Sequence, residues 1–302
     1  DGDEARRLGS CSRDWIEKFH GMEECSGRWR KCIEELSAGT RAVVDLPKLP
    51  RVSIIMPLYN NCEYTEKCLY ALAEYTGDDP DYEVILVDNA SSDWTKYLLL
   101  AFEGDVEVMR NDENVGFARA NNQGALSARG EYVLFLNNDT EPLEGWLQAM
   151  VRLADSDERI GVVGARLLYP QNDTVQHAGL EMINGIPDHV YRGVPAEDER
   201  VMQSRDLDMV TGACMLVRRT LFEQLGGFDE AYRNGVEDVD LCLQVRSKGY
   251  RVVYCAESVL YHHEGTSEGR FEHVNENLQR FFAKWQARFD EMGRFVAVSY
   301  TH

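Results

Sequence analysis

The 302-residue sequence has no apolar run near the ~18 residues a membrane-crossing helix needs. Its opening stretch, DGDEARRLGS, lacks the basic-then-apolar layout of a secretory signal. The expectation is a cytoplasmic protein, and a first residue of Asp1 leaves open that it is a piece of a longer chain with additional domains. None of its eight cysteines is spaced as CxxC, so a zinc site has no support and the thiols are expected to be reduced. Basic residues are scarce: the formal net charge of −20 excludes a general nucleic-acid-binding role, which needs a surface that neutralises phosphates. A phosphate-bearing ligand of so acidic a chain would rely on a divalent cation and on backbone N–H groups.

What is present is alternation. Residues 1–49 are polar, with short helical stretches at Ser12 to His20 and Gly27 to Leu36, and read as a helical extension. Pro47 and Pro50 then punctuate the chain. Apolar strands at Val52 to Leu58, Tyr82 to Asp88, Val106 to Arg110 and Glu131 to Asn137 alternate with helices at Glu63 to Tyr75, Asp93 to Phe102, Phe117 to Arg129 and Leu143 to Asp155. This is the pattern of a nucleotide-binding α/β sheet whose strands are covered on both faces. Further strands are expected at Ile160 to Tyr169, Val175 to Ile183, Asp208 to Val217, Tyr250 to Cys255 and Val259 to His263, making a mixed second half. A helix runs from Glu237 to near Gly249, and Phe271 to Met292 reads as an amphipathic closing helix. The domain so outlined spans 50–269, with 270–302 as a C-terminal helical segment.

Ligands of open α/β sheets bind at the carboxyl ends of the strands. Those ends are polar here: Pro57-Leu58-Tyr59-Asn60, Asp88-Asn89-Ala90-Ser91-Ser92-Asp93 and Asn137-Asn138-Asp139. Each alone reads as turn or capping chemistry; three on successive strands would line one crevice. Asn114 to Asn122 opens a helix, with Gly116 permitting close backbone approach and helix-start N–H groups able to meet a phosphate. Asp139 is either a helix cap or a carboxylate positioned for a hard cation. Glu237-Asp238-Val239-Asp240 is either a favourable acidic first turn or a reactive cluster. His262-His263-Glu264 is a ligand pair or a partly buried histidine beside a loop. The sequons at Asn89, Asn138 and Asn172 read as coincidental without an export signal.

With these residues in hand the chain resembles the inverting glycosyltransferase family two, of GT-A fold, and within it bacterial rhamnosyltransferases. VSIIMPLYN, VILVDNASSD, NVGFARANNQG, GEYVLFLNNDTEP, TGACMLVRR, GGFDEAY, EDVDLCLQVRSKGYRVVY and HHEGTS occur in family order over about Val52 to Trp285. The resemblance implies a donor site at Pro57, Tyr59, Asn60, Asp88 and Ser91, with Asn114, Gly116 and Asn121 nearby. It sets Asn137, Asn138 and Asp139 where the family carries its DxD metal motif, Asn replacing the first Asp. Mg²⁺ or Mn²⁺ would rest on Asp139 and His262. The base of the ED pair maps to Glu237-Asp238, Asp238 being the choice.

The segment from Gln176 to Gly193, including His177, Asn184, Asp188, His189, Tyr191 and Arg192, is polar and aromatic: an acceptor wall, with Trp146 and Gly212, or an ordinary surface hairpin. The resemblance implies transfer of a sugar, rhamnose first, from a dTDP- or UDP-linked donor to a glycan or lipid-linked acceptor in surface polysaccharide synthesis, at the cytoplasmic face of the membrane. A UDP-hexose transferase and an inactive sugar-nucleotide-binding module are the alternatives. A nucleotidyltransferase would need a Gly-rich basic loop after strand one, and PLYNNCEY is neither.

Overall fold

The computed structural model describes residues 49–102, 106–264, 273–290 and 293–296. The helices expected within 12–36, and Cys11, Cys25 and Cys32, lie outside the described residues.

The first half follows the apolar runs closely. Strand β1 (Val52–Leu58) pairs in parallel with β2 (Tyr82–Asp88) on one side and β4 (Tyr132–Leu136) on the other, and β2 pairs in parallel with β3 (Glu107–Arg110). Alternate side chains then enter opposite layers, as a period of two requires. Ile54 and Met56 pack with Leu69 and Leu72 of α1 (Cys62–Tyr75), Leu98 of α2 (Thr95–Leu100) and Met150 of α4 (Trp146–Asp155). Ile55 faces the other way, onto Ala118, Ala120 and Ala125 of α3 (Phe117–Ser127). That helix comes so close that a Cβ on Gly124 would sit 2.5 Å from Ile55 Cγ2.

Beyond β4 the sheet turns mixed. β11 (Cys214–Arg218) runs antiparallel between β4 and β6 (Ile160–Leu168), and β12 (Arg251–His262) runs parallel to β6. The strand order is β10-β12-β6-β11-β4-β1-β2-β3, where β10 is Arg205–Leu207. Two short strands attach off this path: β5 (Thr140–Pro142) to β12 and β7 (Val175–His177) to β6. A separate hairpin pairs β8 (Leu180–Ile183) with β9 (Ile186–His189).

Several expectations are corrected here. The strand expected over Val175 to Ile183 is two strands, broken at Gly179, whose φ of 116° no ordinary residue adopts. That expected over Asp208 to Val217 begins only at Cys214, because Met209 and Val210 are apolar through burial in an irregular segment, not through strand pairing. The two strands after Gly249 are one, β12, with an irregularity between Cys255 and Val259. Helix α5 (Arg219–Leu225), capped by Gly226 at φ 82°, was not anticipated.

The later helices, α6 (Glu237–Ser247) and α7 (Val274–Trp285), join the α3 layer. Phe281 and Trp285 of α7 are buried in that core. Asp240, fully buried on α6, ties the two helices: it accepts from Trp285 Nε1 at 2.7 Å, Lys284 Nζ at 2.8 Å and Tyr232 Oη at 3.1 Å. Its place is therefore structural. No helix among the described residues is long and apolar enough to cross a membrane.

Candidate active site

A cavity of about 320 Å³ opens at the carboxyl ends of β1 and β4, floored by Pro57, Asn137, Asn138 and Asp139. β4 ends at Leu136, the chain turns through Asn137 to Asp139, and β5 then pairs with β12 so that Thr140 lies opposite His262. His263 N–H donates to Asp139 O at 2.9 Å. This ladder brings two residues far apart in sequence together: His262 Nε2 stands 3.2 Å from Asp139 Oδ1, and both residues are buried.

Gln176, on β7, decides what that contact means. Its Nε2 donates to His262 O at 3.1 Å, so its Oε1 accepts from His262 Nδ1 at 2.6 Å. A neutral His262 thus turns the bare Nε2 lone pair toward a carboxylate oxygen, an arrangement that calls for a cation or a proton between them. Two adjacent ligands of an octahedral ion with bonds of about 2.1 Å are about 3 Å apart. The spacing of the pair would suit two ligands of a divalent cation. Among the described residues no group of three or more His, Cys, Asp or Glu side chains is gathered for a metal.

The opposite wall is the start of α6. Asn234, Gly235 and Val236 all have positive φ, 52°, 139° and 77°. For the β-branched Val236 this is backbone strain on the order of 1–3 kcal/mol, of the kind that collects at functional sites. The bend swings Glu237 and Asp238 to the cavity. Glu237 Oε2 accepts from Gly235 N at 2.6 Å, and Asp238 Oδ2 accepts from Gly212 N at 2.7 Å. A Cβ on Gly212 would lie 3.1 Å from Asp238 Cβ, so the glycine permits this approach. Both carboxylates thus sit at the positive end of the α6 dipole, each accepting a main-chain N–H.

Other expected residues divide. Tyr59 and Asn114 line the cavity, and Tyr59 is 40% exposed. Asn60, Asp88 and Ser91 do not line it but brace one another behind it: Asn60 N donates to Ser91 Oγ and Ser92 N to Asn60 Oδ1, both at 2.8 Å, and Ser91 N to Asp88 Oδ1 at 2.9 Å. Gly116, at φ 85°, precedes α3, and its carbonyl accepts from Asn89 Nδ2 at 3.3 Å. Asn121 is fully buried and donates to Phe117 O within its own helix, so it offers the donor no contact.

The acceptor expectations also split. Gly212 lines the cavity. Trp146 has no exposed surface and its indole N–H is bonded to Thr76 Oγ1 at 3.0 Å, so stacking on a sugar is set aside. His177 is fully buried and meets the cavity through His189 and Thr211, which line it.

Sequence reasoning missed three residues. Asn89 lines the cavity where Asp88 was favoured; in a strand end, alternation alone separates the two. Asn234 lines it and accepts from Phe117 N at 3.2 Å; its signal is the Asn-Gly pair before the acidic cluster. Gln176 as the residue orienting His262 left no sequence signal. The described cysteines, Cys62, Cys68, Cys214, Cys242 and Cys255, are free and buried, and burial pushes Cys62 and Cys68 up to about 12, which removes them as nucleophiles.

A parallel nucleotide-binding half joined to a mixed half across β11, with the cavity at their junction, is the GT-A fold of glycosyltransferases. Two solved structures share it. A mannosyltransferase from Pyrobaculum calidifontis in complex with GDP-Man and Mn²⁺ matches with a TM-score of 0.59 at 20% identity, over 94% of this chain and 77% of that one. GalNAc-T7 with UDP, GalNAc and Mn²⁺ matches with a TM-score of 0.59 at 17% identity, over 72% and 44%.

The family model described as Glycosyl transferase family 2 matches residues 53–226, more than half of the chain. The chain belongs to that family. An "O-antigen biosynthesis protein RfbC" of Myxococcus xanthus is 36% identical over 227 residues, 72% of this chain and 18% of the relative. A protein of Sinorhizobium fredii is 32% identical over 80% of this chain and 27% of its own length, so the chain spans less than a third of both. An "N-acetylglucosaminyl-diphospho-decaprenol L-rhamnosyltransferase" of Mycobacterium tuberculosis is 26% identical over 72% of this chain and 77% of its own. The family match ends at residue 226, before Glu237, Asp238 and His262, so the case for these three is geometric.

Proposed function

We propose that this chain transfers a sugar with inversion from a nucleoside-diphosphate donor to a hydroxyl of a glycan or lipid-linked acceptor in surface polysaccharide synthesis. The observation that carries this is the convergence of Asp139 and His262 on one wall of a single cavity with Asp238 on another. Asp139 and His262 would hold a divalent cation, Mg²⁺ or Mn²⁺, which when bound supplies positive charge to the departing diphosphate. Asp238, fixed by Gly212 N–H, takes the acceptor hydroxyl proton as the new bond forms. Its second oxygen is held by Val239 N at 2.8 Å, so the carboxylate is oriented before substrate arrives. Asn137, Asn138 and Asn89 offer neutral donors and acceptors to the nucleotide and sugar, and Tyr59 a ring for the base.

The donor is dTDP-rhamnose on this reading, supported by the rhamnosyltransferase and O-antigen relatives, with a UDP-hexose second. A thermal-shift screen of nucleotide sugars with Mn²⁺ or Mg²⁺, followed by nucleotide-release assays with and without EDTA, tests it. The expected result is stabilisation by a donor in the presence of the cation, and release that EDTA abolishes. Binding without turnover in wild type would support the inactive-module alternative and end the proposal.

A further inference from the structure

The hairpin β8–β9 forms a wall of the cavity through Leu180, Pro187 and His189, and a chain of three groups behind it has no part in the chemistry above. Thr211 N–H points to His177 Nε2 at 3.4 Å, and His177 Nδ1 is 2.9 Å from His189 Nδ1. A backbone amide can only donate, so His177 Nε2 must be bare and a neutral His177 carries its proton on Nδ1. That proton is donated to His189 Nδ1, which leaves His189 with its proton on Nε2. The tautomer at the cavity wall is thus dictated by a main-chain amide one imidazole away.

Both rings are held neutral. Burial, with the neighbouring imidazole, lowers His177 well below its ordinary value, and burial lowers His189 to about 4. A single proton between the two Nδ1 atoms is therefore the resting state at neutral pH. The relay starts at Thr211, the residue before Gly212, whose own N–H holds Asp238. One short backbone turn thus orients both the carboxylate and the imidazole that faces the same cavity.

We propose that His189 reads the acceptor sugar, presenting a fixed Nε2–H to one of its oxygens, with His177 as a positioning residue that sets the tautomer. This rests on the glycosyl-transfer reading above. A fixed donor discriminates for an oxygen at that point and against a group that cannot accept, because a bound acceptor without that oxygen would cover the N–H and take its water partner away.

Two measurements on the intact chain test it. The first is ¹⁵N spectroscopy of the histidine side chains in wild type at pH 7, which needs no ligand. The expected spectrum has His189 with Nε2 protonated and Nδ1 bare; the opposite tautomer, or an imidazolium, overturns the relay. The second uses dTDP-rhamnose as donor and a panel of p-nitrophenyl glycosides as acceptors, scoring transfer against hydrolysis. His177→Leu and His189→Leu should each lower the transfer-to-hydrolysis ratio about tenfold through acceptor KM, the worth of one hydrogen bond. His177→Gln, which offers one acceptor and one donor at similar spacing, should restore it. A ratio unchanged in both leucine variants, or lost equally in His177→Gln, overturns the proposal. A wild type that turns over no nucleotide sugar sinks the transfer reading, and the ¹⁵N result still decides the relay by itself.

Discussion

Replacing Gln176 by Leu isolates the orientation of His262 from every residue that faces the cavity. Gln176 is 1% exposed and His262 4%, so no water substitutes for the lost amide. Two hydrogen bonds go: His262 Nδ1–H to Gln176 Oε1, 2.6 Å, and Gln176 Nε2–H to His262 O, 3.1 Å. The orphaned ring N–H costs about 2 kcal/mol and the carbonyl about 1 kcal/mol, so unfolding free energy should fall by about 3 kcal/mol. For a chain of this size that is a Tm lower by about 6–12 °C. The freed ring also loses its tautomer, and loss of such an outer partner weakens a metal by about 10–100-fold. Mn²⁺ titration of the folded variant with UDP, followed by electron paramagnetic resonance, reads this directly. Gln176→Glu, which keeps the acceptor oxygen, should retain most of the affinity. A folded leucine variant that binds Mn²⁺ with the wild-type midpoint refutes the assignment of the pair to a cation.

Asp238→Asn should lower transfer by about 10²–10⁴-fold, measured as product formation at saturating donor, and a variant as fast as wild type removes Asp238 as the base. Asp240→Ala breaks a buried ion pair whose Lys284 partner is 36% exposed, so the lower end of the usual range applies: a loss of about 3 kcal/mol in urea unfolding, with less than about 1 kcal/mol contradicting the clamp. Gly124→Ala, with its Cβ 2.5 Å from Ile55 Cγ2, should cost about 1–3 kcal/mol by overpacking, and a neutral result would mean that α3 shifts freely. His177 and His189 are depressed in the fold, so below about pH 6.5 the unfolded chain binds protons that the folded chain does not. Stability should fall as pH drops from 7 toward 4, and His189→Gln should flatten that slope; an identical slope in both proteins counts against neutral rings.

The parallel half was legible because burial on both faces leaves apolar runs bounded by turn residues: Val52–Leu58 and Tyr82–Asp88 are found where they were read. Asp139 and His262 were legible as polar residues at strand ends, their separation in sequence notwithstanding. The mixed half was harder, since Met209 and Val210 are core residues of an irregular segment and their side chains carry no period. Trp146 illustrates the limit for single side chains: an indole at a helix start reads as a sugar platform until burial and the bond to Thr76 are seen. Gln176 lies further out of reach, because its role is a contact between β7 and β12 that no local pattern encodes.

The bond from Asp240 to Trp285 has a temporal side. Synthesis runs from the amino end, so α6 is complete while α7 is still to be made, and until the indole arrives a carboxylate destined for the interior has lost its shortest partner. The face of α6 that carries Glu237 and Asp238 is therefore secured only once α7 has been made, some forty residues after α6 itself begins.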